Sequence, residues 1–227
     1  MAMENDILLK AVPLRHSVRS YTDCPLSPQA KEAMQKFIDR CNSESGLNMQ
    51  LVLDEPEAFS GRMARYGKFS GVRNYIALVG PKGKGLDEKC GYFGEKAVLY
   101  AQSLGLNSCW VGLTFSKVRT AFTVRPGEKL CLVIALGYGQ TKGSVHKIKT
   151  REQVCETVAN APEWFLKGLD AALLAPTAMN QQKFTFSLEA GERVKAKASL
   201  GFFSKVDLGI AKCHFELAAG VGNFRWA

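Results

Sequence analysis

The chain has 227 residues, of which 46% are hydrophobic and 22% are charged. This is the composition of a globular protein, and it excludes a disordered, collagen-like or coiled-coil chain. The 30 Lys and Arg residues outnumber the 21 Asp and Glu residues, so the net charge is +9. A charge of this sign attracts anions, which include nucleic acid, an acidic surface and a phosphorylated small molecule.

The sequence carries no signal for export or for membrane insertion. No apolar run approaches the roughly 20 residues of a spanning helix, and acids stand near the start, where a signal peptide is basic. The seven cysteines are an odd set without a C-x-x-C pair, which argues against disulfides and structural zinc. We therefore expect a cytoplasmic protein with no membrane partner and no metal.

The first 150 residues alternate between helix and strand signals. Ser27-Pro28 predicts a helix start, since Ser caps a helix and Pro fits its first turn. An apolar stripe from Phe93 to Leu104 predicts a second helix, with Gly105 after its last turn. Short apolar runs predict strands at residues 49–53, 75–79 and 130–136.

The remaining residues repeat part of this order. Pro162 predicts another helix start, and alternating apolar residues over 184–188 predict a strand followed by a hairpin turn. A further apolar stripe over 208–218 predicts a helix that ends at Gly220. Residues 93–106 align with residues 208–221, which indicates an internal duplication, although helices of any origin share Ala and Leu.

The first candidate site is the cluster from Arg15 to Arg19, just before the first capped helix. In extended backbone alternate residues share a face, so Arg15, Ser17 and Arg19 would converge on one anion. Two guanidiniums and a hydroxyl are donors that suit a phosphate or a polyhydroxyl ligand. The alternative is a solvated basic strand.

Three further segments offer groups for a ligand. Residues 175–182 follow a helix and present Thr, Asn and Gln, which suit hydroxyls and the edges of a heteroaromatic ring. The alternative for this segment is an ordinary capping loop. Gly112 lets a ligand approach its backbone N–H closely. Lys147 and Lys149 share a face where the chain is extended.

Motifs for several other chemistries are missing from the sequence. There is no G-x-G-x-x-G after a strand, no Walker loop and no G-x-S-x-G elbow. The three His residues lack metal-ligand spacing. His214 lies beside an apolar stripe and is expected to be a hydrogen-bonded, partly buried side chain.

Together these segments resemble the FMN-dependent nitroreductase family. The opening R-x-S-x-R-x-[FY] motif of that family is matched by Arg15, Ser17, Arg19 and Tyr21. Its helix end, A-x-x-L-G-L-x-x-x-W-x-G, is matched by residues 101–112. The remaining matches are Gly137-Tyr138 for its G-Y turn, Lys147-Ile148-Lys149 for its K-x-[RK] step, and residues 175–182 for its A-P-[ST]-x-x-N-x-Q loop.

The order of the motifs resembles a subgroup of the family with a duplicated, pseudo-dimer layout. In typical members the A-P-[ST]-x-x-N-x-Q loop closely follows the first motif, and two chains share each flavin site. Here that loop lies in the second half of the chain, and Lys183-Phe184 replaces the usual Pro-Trp after it. The resemblance therefore implies either a monomer with a complete site or a homodimer.

The fold implied by the resemblance is α+β and nitroreductase-like, with an antiparallel or mixed sheet flanked by helices. It implies two pseudo-symmetric halves. Residues 1–150 would be the N-terminal half, and residues 151–227 would be a partial repeat packed on it as one compact unit.

The resemblance also implies roles in FMN binding. Arg15 and Arg19 would pair with the phosphate and the ribityl oxygens, with Lys147 and Lys149 beside them. His16 and Ser17 would lie along the ribityl chain and the pyrimidine edge. The backbone of Gly112 and Leu113 would offer an N–H to flavin N5. The isoalloxazine would be lined by Pro176, Thr177, Ala178 and Asn180.

The implied activity is that of an oxidoreductase. A hydride would pass from NADH or NADPH through FMN to a nitroaromatic, quinone or similar small-molecule acceptor, with no catalytic side chain because the flavin carries the chemistry. Two alternatives are a flavin-fold protein without turnover and a basic nucleic-acid-binding module. The second is disfavoured, and no nucleic-acid partner is expected, because the basic residues match no nucleic-acid motif interleaved with aromatics.

Overall fold

The computed structural model describes residues 2–227, which belong to two compact units. Unit 1 consists of the residues up to Leu14, Asp87–Lys96 and His146–Ala227, and unit 2 consists of Arg15–Leu86 and Ala97–Val145. Helices flank the sheets, so the predicted α+β class is confirmed. No helix within residues 2–227 is long and apolar enough to cross a membrane.

The described residues form six α-helices and seven β-strands. The helices are α1 (Ala2–Ala11), α2 (Pro28–Ser45), α3 (Arg62–Tyr66), α4 (Leu86–Ser103), α5 (Glu163–Leu173) and α6 (Ser204–Ala219). The strands are β1 (Gln50–Val52), β2 (Asn74–Pro81), β3 (Asn107–Val111), β4 (Glu128–Gly137), β5 (Phe184–Glu189), β6 (Arg193–Ala198) and β7 (Arg225–Trp226).

The sheet of unit 2 has the strand order β1-β2-β4-β3, and all neighbouring strands are antiparallel. The strands predicted from apolar runs correspond to β1, β2 and β4. The sequence analysis predicted no strand at residues 107–111, where β3 forms because these residues pair along β4. The Asn and Ser of this segment have low strand propensity, so the cross-strand pairing decides its conformation.

A side-chain cap defines where α2 begins, and a left-handed glycine follows the end of α4. The Oγ of Ser27 accepts a hydrogen bond from the N–H of Ala30 at 3.1 Å, which confirms the predicted start of α2. After α4, Gly105 adopts a φ of 78°, and the N–H of Leu106 donates to the carbonyl of Ala101 at 3.0 Å. This left-handed turn favours glycine and directs the chain into β3.

The core of unit 2 includes apolar residues from the Arg15–Tyr21 segment. Val18 and Tyr21 are both buried, at 1% and 2% exposure, within the cluster that β2 and β4 form. Burial of these two side chains anchors the segment that carries the first motif. The same cluster contains Val52, Phe59, Phe69, Val72, Tyr75, Val79, Val111 and Val133.

In unit 1, α5 and α6 pack against each other and α6 packs on the second sheet. The predicted hairpin is confirmed by the antiparallel pairing of β5 with β6, whereas the short β7 pairs parallel to β6 and was not predicted. Phe215 of α6 is fully buried and stacks on Phe186 with ring centroids 4.9 Å apart. The rings of Phe165, Phe224 and Trp226 also contact Phe215.

His214 of α6 is fully buried, rather than partly buried as expected. Its Nδ1 lies 3.0 Å from the carbonyl oxygen of Ala171, and its Nε2 lies 2.9 Å from Oε1 of Glu95. A carbonyl oxygen only accepts, so Nδ1 is the donor in the contact with Ala171. The expectation of a hydrogen-bonded structural histidine is therefore confirmed.

Two glycines let α4 and α6 approach closely within unit 1. A Cβ on Gly209 would lie 2.0 Å from the carbonyl oxygen of Glu88, and a Cβ on Gly91 would lie 2.1 Å from that of Val206. Such distances are far below van der Waals contact, so neither position accepts a side chain without a helix shift. Side-chain hydrogen bonds join the same helices: Lys212 with Glu88, Tyr92 with Glu216, and His214 with Glu95.

Replacing Gly209 with Ala is expected to destabilise the protein even though Ala favours helix. The added Cβ meets the backbone of α4, and we expect a loss of about 3 kcal/mol in the free energy of unfolding. Urea unfolding measures this change. Gly83→Ala is the control, since a Cβ there meets nothing within 4 Å. Equal stabilities of the two variants would contradict the helix contact.

Candidate functional site

The segment from Arg15 to Tyr21 is extended and bound to neighbouring backbone in unit 2. The N–H of Val18 donates to the carbonyl of Ser108 in β3 at 3.0 Å, and the N–H of Tyr21 donates to that of Ser70 at 3.0 Å. The buried hydroxyl of Tyr21 donates to the carbonyl of Val18 at 2.7 Å. These bonds fix the direction in which the polar side chains of the segment project.

Three polar side chains of this segment affect the pKa of Cys109 in β3. Burial raises the pKa of the Cys109 thiol. The cations of Arg19 and Arg15 oppose this rise, and so does a hydrogen bond from Ser17. The three side chains that the sequence predicted to share a face therefore all act on the pKa of one buried thiol.

The two arginines differ in their exposure to solvent. Arg15 is buried, with 4% of its surface exposed, whereas Arg19 is exposed and its guanidinium lies 5.8 Å from the ring centroid of Phe69. A buried guanidinium is held in place by its surroundings, and one lying over an aromatic ring is oriented by it. Unit 2 thus presents one deep and one surface cation.

The predicted Gly-Tyr turn lies beside the same segment. The N–H of Thr22 donates to the carbonyl of Tyr138 at 2.8 Å. His16 packs over Gly143, where a Cβ would lie only 2.6 Å from the Cβ of His16. Gly143 also has a φ of 76°, so both its conformation and its contact favour glycine.

Gly112 and Leu113 follow directly after the last residue of β3. Gly112 is half-buried, and Leu113 exposes 63% of its surface. Unit 2 therefore contains all the residues predicted from the first motif and from the helix-end motif.

In unit 1, the loop 176–182 has an unusual backbone. Met179, Asn180 and Gln182 have φ values of 50°, 53° and 45°, in the left-handed region that disfavours side chains. Pro176, Thr177 and Ala178 are half-buried, and Met179 and Asn180 are exposed. Such conformations persist where the surroundings determine them strongly, and they are frequent at binding sites.

The buried amide of Gln182 holds this loop against the basic segment 147–149. Its Nε2 donates to the carbonyl of Lys147 at 2.8 Å and to Oδ1 of Asn180 at 3.0 Å. Its Oε1 accepts from the N–H of Lys149 at 2.9 Å, and its backbone N–H donates to Oγ1 of Thr177 at 3.1 Å. Unit 1 therefore brings together the lysine pair and the polar loop that the sequence predicted separately.

The ammonium of Lys149 already has one partner in the loop. Its Nζ donates to the carbonyl of Gln182 at 2.7 Å, while Lys147 is exposed. A lysine ammonium has three donors, so Lys149 keeps capacity for an anion while it is held in position.

Asp207 of α6 anchors the other side of the loop. Its carboxylate accepts from the N–H of Ala178 at 3.0 Å and from Nε2 of Gln181 at 2.7 Å. Asp207 is only 2% exposed, and this burial raises its pKa from 3.8 to about 6, although both hydrogen bonds act in the opposite direction. The loop thus rests on a carboxylate that titrates close to neutrality.

Sequence reasoning missed the residues that position these groups. Gln182 stood in the quoted loop motif without a role, and Cys109 stood in the helix-end motif as a packing residue. Asp207 lies in an apolar stripe, where an acid is rare in a buried position unless it is hydrogen-bonded, and this was the available signal. Within residues 2–227 no group of three or more His, Cys, Asp or Glu side chains could hold a metal ion.

Comparison with known proteins identifies the relatives of this chain. The model of the family described as "Putative TM nitroreductase" matches residues 7–219. No curated protein matches the sequence. The structure is similar to that of the "putative nitroreductase" of Thermotoga maritima, with a TM-score of 0.67 and 23% identity over 93% of this chain and 82% of that chain.

Two further solved structures share the fold. The "putative nitroreductase" of Desulfovibrio desulfuricans, solved in complex with FMN, has a TM-score of 0.52 and 18% identity over 68% of this chain and 96% of that chain. An NADH dehydrogenase/NAD(P)H nitroreductase from Bacteroides thetaiotaomicron has a TM-score of 0.51 and 20% identity over 65% of this chain and 95% of that chain. These similarities confirm the predicted nitroreductase-like fold.

Asp207→Asn is expected to change how stability depends on pH. The pKa of Asp207 is about 6 in the folded protein and 3.8 ordinarily. The folded state therefore binds the extra proton, and this group lowers the free energy of unfolding as pH rises from about 4 to about 6. The loss across that window is up to about 3 kcal/mol.

Asn retains an oxygen for the N–H of Ala178 and does not titrate. Urea unfolding of both proteins between pH 4 and pH 7 measures the difference. We expect the decline to be smaller in Asp207→Asn. Parallel curves for the two proteins would show that Asp207 does not titrate in this range.

Proposed function

Because the chain belongs to the nitroreductase family, whose members are oxidoreductases, we propose that it is an FMN-dependent enzyme. In this proposal it passes a hydride from NADH or NADPH through FMN to a nitroaromatic, quinone or similar acceptor. The observation that carries the proposal is the fixed Arg15–Tyr21 segment, whose backbone bonds to Ser108 and Ser70 hold a buried Arg15, and whose Arg15, Ser17 and Arg19 all act on the pKa of Cys109. A rigid set of two guanidiniums and a hydroxyl suits a phosphate ester better than it suits any apolar ligand.

The donor chemistry of both units fits FMN. A phosphate monoester carries nearly two negative charges and needs several cations or N–H donors. We propose that Arg15 and Arg19 bind the phosphate and the ribityl oxygens, with His16 and Ser17 along the ribityl chain. We further propose that Lys147 and Lys149 of unit 1 supply positive charge for an FMN phosphate.

The neutral groups fit the flavin ring. Thr177 and Asn180 can exchange hydrogen bonds with ring carbonyls and N–H groups, while Pro176 and Ala178 offer apolar contact. The backbone N–H groups of Gly112 and Leu113 are proposed to face N5 of the ring. The solved relative from Desulfovibrio desulfuricans holds FMN, which supports the same cofactor here.

Bound FMN would supply the redox chemistry, since it accepts a hydride and returns two electrons. The protein's own residues bind and orient the cofactor. The cations hold the phosphate end, and the left-handed loop 178–182, held by Gln182 and Asp207, keeps Asn180 in one position. This division of roles requires no side-chain nucleophile or base. The proposed enzyme is cytoplasmic and carries each set of binding residues once per chain.

We predict that FMN binds more tightly than riboflavin. The two ligands share the ring and the ribityl chain, and riboflavin lacks the phosphate that the cations would bind. Loss of a charge-assisted contact of about 1.5–3 kcal/mol corresponds to about ten- to a hundredfold in affinity. Titration followed by flavin fluorescence gives both dissociation constants. Equal dissociation constants for FMN and riboflavin would contradict the proposed binding of the phosphate by the cations.

Arg19→Ala is predicted to weaken FMN binding by about ten- to a hundredfold, because it removes one charge-assisted contact. The matched control is Arg119→Ala, which removes an exposed arginine of the same unit outside both binding sets. The same titration compares both variants with the parent protein. If the two variants bound FMN with the same affinity, the proposed role of Arg19 in FMN binding would be wrong.

A further inference from the structure

The loop 199–203, between β6 and α6, holds two large apolar side chains in solvent. Leu200 is 96% exposed and Phe202 is 71% exposed. Elsewhere in unit 1, side chains of this kind fill the core around Phe215. Two exposed apolar side chains forgo the stabilisation that burial gives. We therefore take the loop 199–203 as a candidate binding surface.

The exposure is built into the fold, because the loop is fastened on both sides. Nε2 of Gln181 donates to the carbonyl of Phe202 at 2.7 Å, and Nζ of Lys183 donates to the carbonyl of Leu200 at 3.0 Å. Gly201 packs against the side chains of Gln181 and Lys183, where a Cβ would lie 2.7 and 2.9 Å from their atoms. Lys183, which replaces the family's Pro, therefore supports the projecting loop.

Cations surround this apolar loop. Lys183, Lys197 and Lys205 are exposed and lie within a few residues of the loop or in contact with it. The solvent face of the second sheet extends the charge, because alternate residues of β6 share a face. That face carries Arg193, Lys195, Lys197 and Arg225, with Arg225 in register beside Arg193.

Little negative charge offsets these cations on the sheet. Glu189 lies 3.4 Å from Arg193 and 3.6 Å from Lys195, and Lys197 stands opposite Thr185. Like charges on neighbouring strands destabilise a sheet. An anionic partner would relieve that repulsion.

We propose that unit 1 docks on the surface of an anionic lipid bilayer through this loop. Leu200 and Phe202 enter the boundary between headgroups and acyl chains, and the surrounding lysines bind lipid phosphates. A projecting apolar tip with cations around it suits this surface, because both contributions are needed for stable binding. A nucleic acid fits less well, since the outer face of β5 and β6 has no aromatic side chain for stacking bases.

This proposal concerns attachment to the bilayer surface, which the absence of a spanning segment did not address. It does not depend on the flavin. The residues that it uses lie outside the proposed FMN-binding set, so FMN retention can be measured separately on each variant.

The test is co-sedimentation of the full chain with vesicles. One set contains phosphatidylcholine alone, and the other contains equimolar phosphatidylcholine and phosphatidylglycerol. We expect binding to the anionic vesicles and a loss of about tenfold or more for the double variant Leu200→Ser, Phe202→Ser. Lys197→Glu with Lys205→Glu is expected to lose more than tenfold, because loss of each lysine cation alone costs about fivefold and the added carboxylates repel the anionic surface.

Two controls keep the test specific. Val221→Ser alters an apolar residue of unit 1 that is 62% exposed, and Lys82→Glu reverses an exposed cation of unit 2. Both controls are expected to bind like the parent. In addition, Phe202→Trp is expected to show a blue-shifted emission with anionic vesicles, which a purely structural residue would not show.

Three outcomes would overturn the proposal. One is no binding of the parent chain to anionic vesicles. Another is an equal loss of vesicle binding for the loop variants and the controls, which would indicate that binding does not depend on this loop. The third is tight binding of duplex DNA with the same dependence on the lysines and no effect of Leu200→Ser and Phe202→Ser on vesicle binding.

Discussion

The buried side-chain amide of Gln182 is the interaction on which the arrangement of unit 1 depends. It is 3% exposed and hydrogen-bonds to the segment 147–149 through both its oxygen and its nitrogen. A buried amide is costly unless it is hydrogen-bonded, and a fully bonded one permits few alternatives. This constraint explains how Met179, Asn180 and Gln182 of the loop 178–182 remain in left-handed conformations. It also explains why the segment with Lys147 and Lys149 lies next to the polar loop, although the two are distant in sequence.

In unit 2, backbone hydrogen bonds rather than a side-chain amide hold the candidate binding segment in place. The extended segment 15–21 gains rigidity from the carbonyls of Ser108 and Ser70 and from the burial of Val18 and Tyr21. Its polar residues Arg15, Ser17 and Arg19 all act on the pKa of the buried Cys109 thiol. Both sets of candidate residues therefore rest on rigid supports, which is the condition for binding a ligand without a large ordering cost.

The sequence predicted the long elements and the polar clusters because each has a local signal. Ser27-Pro28, the apolar run at 75–79 and the stripe at 208–218 all depend on neighbours within the same segment. β3 and Gln182 could not be predicted this way, because cross-strand pairing with β4 and contacts with Lys147 and Lys149 determine them. The exposure of Phe202 was equally hidden, since Phe in a sequence usually indicates core.

The most direct test of the account is whether the protein carries a flavin that nucleotides can reduce. FMN is added to the purified protein, unbound FMN is removed, and NADH or NADPH is supplied without oxygen. We predict that the visible band of oxidised flavin is retained with the protein and bleaches on addition of the nucleotide, and that a quinone restores it. Retained flavin that neither nucleotide reduces would contradict the proposed activity, and a colourless protein would contradict the cofactor itself.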